Sequence, residues 1–278
     1  MLIRLGEGKM KKDKINIYQF LKSVREQKPL VHHLTNWVTI YDCANVVKVL
    51  GASPVMAHAQ EEVAQMSAIS SALVLNIGTL TVDLVKAMKI AAKVANSKGI
   101  PVILDACGAG ATELRDKSCF QLLDECRIDV LKGNASEIAR IAGEKVRTKG
   151  VDTSQVMGNL EKLAKRLAGE RNCTVVITGK EDIISDGRRV FLVKNGDPMM
   201  GHIVGTGCMA ASVIGTFCAV EKDLALAAVA GLAAFEIAAE CAVKKTKGPG
   251  TFKEQLFDCI YKLDEKTIAK MQKVYCVE

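Results

Sequence analysis

The segment best suited to chemistry is a short glycine-rich run, Gly205-Thr206-Gly207-Cys208, which is followed at once by small apolar residues. Glycine permits tight turns and lets a ligand approach the backbone without interference from a Cβ atom. The apolar run predicts a helix, whose first free N–H groups would point into the turn and attract an anion such as phosphate. We therefore predict that Gly205, Thr206 and Gly207 form an anion cradle with the Cys208 thiol at its mouth. Taken alone, the motif is also compatible with a turn that caps a buried helix.

Two carboxylates are candidates for the divalent cation that phosphoryl transfer requires. Asp105 ends an apolar run, and Glu137 follows Asn134 by three residues at a predicted helix start. Mg²⁺ prefers oxygen ligands and usually keeps several waters, so one or two carboxylates suffice. Each residue has a structural alternative, because Asp105 could cap the next turn and Glu137 could complete a helix cap with Asn134. The Walker A pattern G-x-x-x-x-G-K-[ST] is absent, which excludes a P-loop enzyme.

The same glycine segment also satisfies the looser dinucleotide fingerprint G-x-G-x-x-A over residues 205–210. The context argues against that interpretation, because the segment lies late in the chain and follows a predicted hairpin rather than a βα unit. The acidic residues that follow, Glu221 and Asp223, fall in a turn between predicted helices and not at a strand end. A dinucleotide-binding oxidoreductase, which would show hydride chemistry, is kept as an alternative.

A fold must bring these residues together, and the sequence pattern predicts an α/β fold. Short apolar runs alternate with amphipathic stretches, which indicates a mostly parallel sheet covered by helices on both faces, a three-layer α/β/α fold. The predicted strands span 53–57, 72–76, 101–105, 129–131 and 174–178, and the helices between them span 61–70, 82–97, 135–142 and 159–168.

The last third of the chain follows a different pattern. Residues 182–185 and 189–193, joined at Asp186-Gly187, indicate a hairpin with the favoured Asp-Gly turn, which would give the sheet an antiparallel edge. Beyond the glycine segment the chain is predicted to be helical throughout, over 208–219, 223–243, 252–262 and 264–273.

Polar or glycine-rich turns follow four of the predicted parallel strands. In open α/β sheets ligands bind beyond the carboxyl ends of the strands, so these turns predict one shared cleft. The turns are 76–79, Asp105 with 108–110, 132–134 and 178–179.

The amino-acid composition limits the possible domain organisation and the possible binding partners. With 278 residues, 49% hydrophobic and 25% charged, the chain is predicted to be one globular domain over 15–278 behind a flexible, basic extension at 1–14. Much of the net charge of +7 lies in that extension and near 244–247. Only 4% of residues are aromatic, which argues against the stacking platforms of single-strand nucleic-acid binders, so no nucleic-acid partner is expected.

The cysteines and apolar runs point to a cytoplasmic location. The ten cysteines include no C-x-x-C pair, which argues against zinc ribbons, iron–sulfur clusters and thioredoxin chemistry. No secretory apolar segment begins the chain, so a disulfide framework is not expected. The longest apolar run, 224–235, is too short to span a bilayer and continues into Glu236, which favours a core helix and no membrane partner.

Several motifs together resemble the hydroxyethylthiazole kinase family of thiamine salvage. The similarity runs in order from about Pro29 to Phe252, nearly the whole chain. The matching segments are 29–32, 34–36, 51–57, 75–80, 101–105, 108–112, 132–138, 205–208 and 248–250.

The resemblance implies a ribokinase-like fold, a homotrimer with sites at subunit boundaries, and transfer of the γ-phosphoryl group of ATP to the primary alcohol of 4-methyl-5-(2-hydroxyethyl)thiazole. It implies that Cys208 occupies the place where related sugar kinases have a catalytic aspartate. For the other positions it implies thiazole contacts for Met56 and Gly205, a pocket lining for Asn36 and Gly78, an ATP side for Lys132 and Thr178, and Mg²⁺ near Asp105 and Glu137.

The chain departs from the family pattern at two places. The family commonly has Asp-Pro-Val where this chain has Asp105-Ala106-Cys107, so the turn lacks the rigidity of proline. The family's nucleotide-side arginine is Lys132 here, which keeps the charge but not the two-pronged geometry. Both departures bear on ATP binding more than on the class of reaction.

We hypothesise that Cys208 positions the acceptor hydroxyl and accepts its proton late, because phosphoryl transfer has a loose transition state that needs little early deprotonation. A kinase for another small alcohol, such as hydroxymethylpyrimidine or pyridoxal, is an alternative of the same fold. A non-catalytic thiazole or nucleotide sensor is an alternative of another class.

Overall fold

A computed structural model describes residues 10–12, 15–144 and 153–277. Within these ranges, ten strands form one sheet in the order β1-β10-β9-β8-β7-β6-β5-β4-β2-β3. The strands are β1 (Met10–Lys12), β2 (Leu30–Leu34), β3 (Ser53–Val55), β4 (Ala72–Asn76), β5 (Val102–Asp105), β6 (Val130–Asn134), β7 (Thr174–Thr178), β8 (Asp182–Ser185), β9 (Val190–Val193) and β10 (Val274–Val277).

The sheet has a parallel part and an antiparallel part. Strands β3, β2, β4, β5, β6 and β7 pair in parallel, whereas β8, β9, β10 and β1 continue the sheet with antiparallel pairs. The carboxyl ends of the parallel strands therefore meet along one edge, where the cleft is expected.

Helices cover both faces of the sheet. In the described part of the chain they are α1 (Ile17–Gln27), α2 (Ile40–Leu50), α3 (Val63–Ile69), α4 (Val82–Lys98), α5 (Glu113–Glu125), α6 (Ala135–Ile141), α7 (Thr153–Arg171), α8 (Thr206–Cys218), α9 (Leu224–Val243), α10 (Pro249–Tyr261) and α11 (Glu265–Met271). One core packs α1, α2 and α8–α11 against the sheet, and the second packs α3–α7 against the opposite face. Successive side chains of β4 point to opposite faces of the sheet, so Val74 belongs to the first core and Leu73 and Leu75 belong to the second.

Helix α8 lies unusually close to the sheet. A Cβ atom at Gly215 would collide with the Cγ2 atom of Val74 on β4, so only glycine permits this approach. All residues of α8 from Cys208 to Cys218 are buried, and the helix is thereby held with its N-terminus at the edge where the parallel strands end.

Helix α9 is the one described helix long and apolar enough to cross a membrane. However, 78% of its most apolar stretch is buried inside the protein, where it packs against α8 and α10. It is therefore a core helix of this fold, as the sequence predicted.

The structure confirms the three-layer α/β/α prediction and the mostly parallel sheet, with the hairpin β8–β9 where Asp186-Gly187 placed it. The prediction that everything after the glycine segment is helical was wrong for Val274–Val277. These four residues form β10, because they pair with the open side of β9, a partner that lies about 80 residues earlier in the chain.

The hairpin is consequently not the edge of the sheet. Strand β10 covers it, and β1 pairs with β10 in turn. Residues 10–12 of the predicted flexible extension are thus a paired strand, while 1–9 and 13–14 lie outside the described residues. The extension and the single domain over 15–278 otherwise stay predictions.

Candidate functional site

A cavity of about 420 Å³ opens where the parallel strands end and α8 begins. We name it the cysteine cavity, because the side chains of Cys107 and Cys208 both line it. Residues that follow β2, β4, β5, β6 and β7 meet there, as the strand-end pattern predicted. The lining is Asn36, Val38, Thr39, Gly78, Thr79, Asp105, Cys107, Lys132, Asn134, Glu137, Thr178, Val204, Gly205, Gly207 and Cys208.

The glycine turn has a conformation that other residues rarely adopt. Gly205 has φ +99° and is the N-cap of α8, with its carbonyl accepting from Met209 N at 2.8 Å. A Cβ atom on Gly205 would lie 2.6 Å from Cγ2 of Thr39. The turn and α2 therefore meet with no space for a side chain, and the first amides of α8 face the cavity.

A buried ion pair lies beneath the turn. The ammonium of Lys132 donates to a carboxylate oxygen of Asp105 at 3.1 Å and to the carbonyl of Gly207 at 3.0 Å. Burial raises the pKa of Asp105 and is opposed by Lys132. Burial alone would lower the pKa of Lys132, but the attraction of Asp105, with contributions from Glu137 and Cys208, raises it. Lys132 is thus held charged and joins β5 to the start of α8.

The sulfur of Cys208 receives several hydrogen bonds. The amides of Asn36 and Asn76 donate to it at 3.2 and 3.3 Å. The largest influence is the hydrogen bond from the Cys107 thiol, which lowers the pKa of Cys208; burial opposes it, and the net pKa is about 5. These hydrogen bonds and the position at a helix N-terminus, where negative charge is favoured, both favour the thiolate form of Cys208.

Glu137 fulfils the structural alternative that the sequence left open, while its carboxylate also lines the cavity. It forms a capping box with Asn134, whose N–H donates to Oε2 at 2.7 Å, and the N–H of Gly108 donates to Oε1 at 2.7 Å. Asp105 is not a simple turn cap, because its two oxygens accept from Lys132 and from Asn76, the latter at 2.7 Å.

A second cavity of about 610 Å³ adjoins the first, and Thr178 and Gly207 line both. We name it the hairpin cavity, because loops at the ends of β7, β8 and β9 border it. Its wall holds two buried carboxyl groups, Asp182 on β8 and Glu236 on α9. Burial raises the pKa of both, which favours a protonated Glu236 that can donate to Asp182. Glu236 is one of two glutamates in an otherwise apolar helix, and the sequence analysis used it only to mark the end of an apolar run.

This pair predicts a pH-dependent stability. Burial raises the pKa of Glu236 well above its ordinary value, and Asp182 raises it further. A carboxyl whose pKa rises on folding stabilises the protein below its unfolded pKa and loses that contribution as pH rises through the folded pKa. We therefore expect Glu236→Gln, which keeps a hydrogen bond to Asp182 without a proton to lose, to be more stable than wild type by on the order of 1–3 kcal/mol near pH 8.

The measurement is urea unfolding at about pH 8 and about pH 4, with the exposed Glu254→Gln on α10 as the matched control. The advantage of Glu236→Gln should disappear at the lower pH, and the control should show no pH-dependent gain. A Gln variant that is less stable than wild type near pH 8 would contradict the raised pKa of Glu236.

Most of the predicted site residues meet at the two cavities. Thr206 lines only the hairpin cavity, and Met56 lies outside the described lining of both, in the loop after the edge strand β3. The predicted residues that line the cysteine cavity are Asn36, Gly78, Asp105, Lys132, Glu137, Thr178, Gly205, Gly207 and Cys208.

Sequence reasoning missed several contributors. Asn76 bridges Asp105 and Cys208, a role that its position at a strand end suggested only in part. Arg115 on α5 donates to the carbonyls of Ile77 and Cys107, and so ties the turns after β4 and β5 together. No pattern in the sequence identifies such a long-range contact from an arginine on an exposed helix.

Comparison with known proteins agrees with this geometry. Residues 21–266 match the model of the hydroxyethylthiazole kinase family. A hydroxyethylthiazole kinase of Methanosarcina mazei is 54% identical over 91% of this chain and 97% of its own length. The solved structure of the hydroxyethylthiazole kinase protein from Pyrococcus horikoshii OT3 superposes with a TM-score of 0.88 at 42% identity, over 94% of this chain and 99% of that one. A ribokinase-like superfamily protein from Enterococcus faecalis shares the fold, with a TM-score of 0.59 at 12% identity over 92% of each chain.

Proposed function

Because this chain belongs to the hydroxyethylthiazole kinase family, we propose that it transfers the γ-phosphoryl group of ATP to the primary alcohol of 4-methyl-5-(2-hydroxyethyl)thiazole. The product, the thiazole phosphate, serves thiamine biosynthesis and salvage. The observation that carries the proposal is the cysteine cavity, where the hydrogen-bonded sulfur of Cys208, a buried lysine and the amides of a helix N-terminus meet. These are the groups that phosphoryl transfer to an alcohol needs for positioning and charge stabilisation.

We assign the two cavities to the two substrates. The hairpin cavity holds ATP, with Thr178 and the cradle of Gly205, Thr206 and Gly207 toward its phosphates. The cysteine cavity holds the thiazole alcohol, lined by Asn36 and Gly78. The shared border at Thr178 and Gly207 is where the γ-phosphoryl group passes between them, beside the amides of α8 and the charge of Lys132.

Within this arrangement Cys208 directs the acceptor hydroxyl. Its sulfur is fixed by the amides of Asn36 and Asn76, so a hydroxyl that donates to it has one preferred direction. The thiolate receives the proton late, as bond formation to phosphorus makes the hydroxyl acidic. Lys132 is fixed by Asp105 and stabilises negative charge without moving.

The donor set fits a bound Mg²⁺ of the kind that nucleotides carry. Glu137 presents one carboxylate at the cavity, and each of its oxygens, although bonded to a backbone N–H, has a second lone pair. The described residues contain no group of three or more His, Cys, Asp or Glu side chains that could hold a metal by themselves. Glu137, with Asp105 behind it, would therefore share the ion with the phosphates and waters, and the ion would neutralise phosphate charge.

We also propose a homotrimer with the sites at subunit boundaries. Four exposed large apolar side chains, Trp37, Val38, Tyr41 and Val204, surround the cysteine cavity or follow its lining residues in the chain, and Val204 is 72% exposed. Met56, which lies outside both linings, follows an edge strand and would reach the thiazole of a neighbouring subunit. The activity belongs in the cytoplasm, in keeping with the absence of a disulfide among the described residues.

The test is ADP release from Mg-ATP by the purified protein, with hydroxyethylthiazole, hydroxymethylpyrimidine or pyridoxal as acceptor. We expect turnover that depends on the thiazole and is weakened by Glu137→Ala. Turnover with another alcohol alone would overturn the substrate, and thiazole binding without turnover would indicate a sensor. Activity in an intact monomer, separated by size-exclusion chromatography, would overturn the shared site.

The proposed role of Cys208 predicts graded effects. Cys208→Ala should lower kcat by about 10- to 100-fold, because positioning by the amides and by Lys132 remains. Cys208→Asp should retain or improve activity, since a carboxylate can both orient the hydroxyl and accept its proton. Steady-state kinetics with the thiazole as varied substrate decide the matter. Complete loss in both variants would instead indicate a covalent or structural role.

A further inference from the structure

Two thiols face each other inside the cysteine cavity. Among the cysteines of the described chain only Cys107 and Cys208 line it, and the Cys107 thiol is hydrogen-bonded to the Cys208 sulfur. The two thiols therefore lie close to each other in one cavity, although the residues are about 100 positions apart in the sequence. In the proposed phosphoryl transfer only Cys208 meets the acceptor hydroxyl, and Cys107 acts through its influence on the pKa of Cys208.

The surroundings allow a small reagent to reach the pair and allow the pair to close. The cavity opens to solvent, and Cys107 is partly exposed at its wall. Cys208 is fixed at the start of α8, whereas Cys107 lies in the irregular turn between β5 and α5. That turn has Ala106 before the cysteine, so no proline ring restricts it.

We propose that Cys107 and Cys208 are an oxidisable thiol pair, which a small peroxide converts to an intramolecular disulfide that switches the kinase off. The pairing itself rests on the position of both thiols in one cavity, with Cys107 in an irregular turn that faces the start of α8. The loss of activity rests on the proposed function, because it assumes that the alcohol must reach Cys208.

The chemistry balances with one peroxide per disulfide. The sulfur of Cys208 attacks one peroxide oxygen, the O–O bond breaks, and the products are a sulfenic acid and water. The sulfur of Cys107 then attacks the sulfenic sulfur, which forms the S–S bond and releases a second water carrying the thiol proton. Two thiols have been oxidised and one hydrogen peroxide has been reduced to two waters.

The disulfide would prevent Cys208 from accepting a hydrogen bond and would block the access of the substrate hydroxyl to it. Its sulfur would no longer accept a hydrogen bond from the substrate hydroxyl as a thiolate does, and the bridge would cross the cavity at the position of that hydroxyl. A dithiol such as dithiothreitol restores the two thiols by exchange and is itself oxidised to a cyclic disulfide. The switch is thus reversible.

The experiment exposes the full-length protein to hydrogen peroxide, blocks remaining thiols with iodoacetamide and identifies cross-linked peptides by mass spectrometry. We expect a peptide pair that joins Cys107 to Cys208 and disappears after dithiothreitol. Thiazole-dependent activity should fall by about 10-fold or more and return with the reductant. Cys241→Ser, which removes another partly exposed cysteine away from the cavity, should behave as wild type.

The informative variant is Cys107→Val. It should form no such cross-link, and its Cys208 should proceed to sulfinic acid, so that its remaining activity is lost without recovery by dithiothreitol. The mass measurement on wild type needs neither this variant nor an active kinase, so the pairing and the proposed function are judged separately. A wild-type cross-link between Cys208 and another cysteine, such as Cys43, or oxidation without any cross-link would overturn the proposal.

Discussion

Lys132→Met should lower kcat/KM by about 100-fold or more and destabilise the protein by about 3–5 kcal/mol. The wild-type ammonium bonds to Asp105 and to the carbonyl of Gly207, so its removal leaves a fully buried carboxylate without a cation and frees the start of α8. The methionine side chain keeps most of the volume, which confines the effect to charge. Thermal unfolding and steady-state kinetics measure the two losses.

A double variant separates stability from activity. Adding Asp105→Asn to Lys132→Met removes the uncompensated charge, so most of the stability should return while activity stays low. The stability deficit of Lys132→Met alone should shrink toward about pH 5, because burial raises the pKa of Asp105 and a protonated carboxyl needs no cation. If the single variant keeps wild-type kcat/KM, Lys132 is a structural residue and the charge-stabilising role is wrong.

The parallel half of the fold was predictable because its strands are buried on both faces. Such strands are continuous apolar runs, and β4 and β7 were predicted with the bounds that the structure shows. Strand β10 was not predictable in the same way, because Val274–Val277 is a short run whose conformation depends on its pairing with β9. A local pattern does not contain that partner.

The site residues also separate into those that a local sequence pattern reveals and those that it does not. Asp105 and Cys208 stand out because each sits at a strand end or a glycine turn, where chemistry and local structure coincide. Glu137 shows that a helix cap and a cavity-facing carboxylate can be one residue, so the two interpretations of its spacing were not exclusive. Cys107 and Glu236 could not be assigned from the sequence, since each matters through a partner on another element: Cys208 in one case and Asp182 in the other.

Gly205→Ala should be the most damaging of the small substitutions at the site. Alanine at φ +99° costs about 1–2 kcal/mol in backbone strain, and its Cβ would lie 2.6 Å from Cγ2 of Thr39, which forces one of them to move. The hydroxyl of Thr39 donates to Asn36 Oδ1 at 3.0 Å, and Asn36 in turn holds Cys208. We therefore expect a stability loss of about 2–4 kcal/mol and a fall in kcat/KM of about 100-fold.

Removing Cγ2 of Thr39, the atom that the new Cβ would meet, provides the control for that prediction. Thr39→Ser removes Cγ2 but keeps the hydroxyl, so Gly205→Ala combined with Thr39→Ser should recover part of the lost stability and activity, measured against Thr39→Ser alone. The recovery should be partial, because the backbone strain remains and Cβ of residue 39 is still 3.1 Å away. Gly169→Ala on α7, which meets no atom within 4 Å and lines neither cavity, should lower neither quantity. If Gly205→Ala is as damaging with serine at position 39 as with threonine, the contact with Cγ2 is irrelevant, and backbone conformation alone requires the glycine.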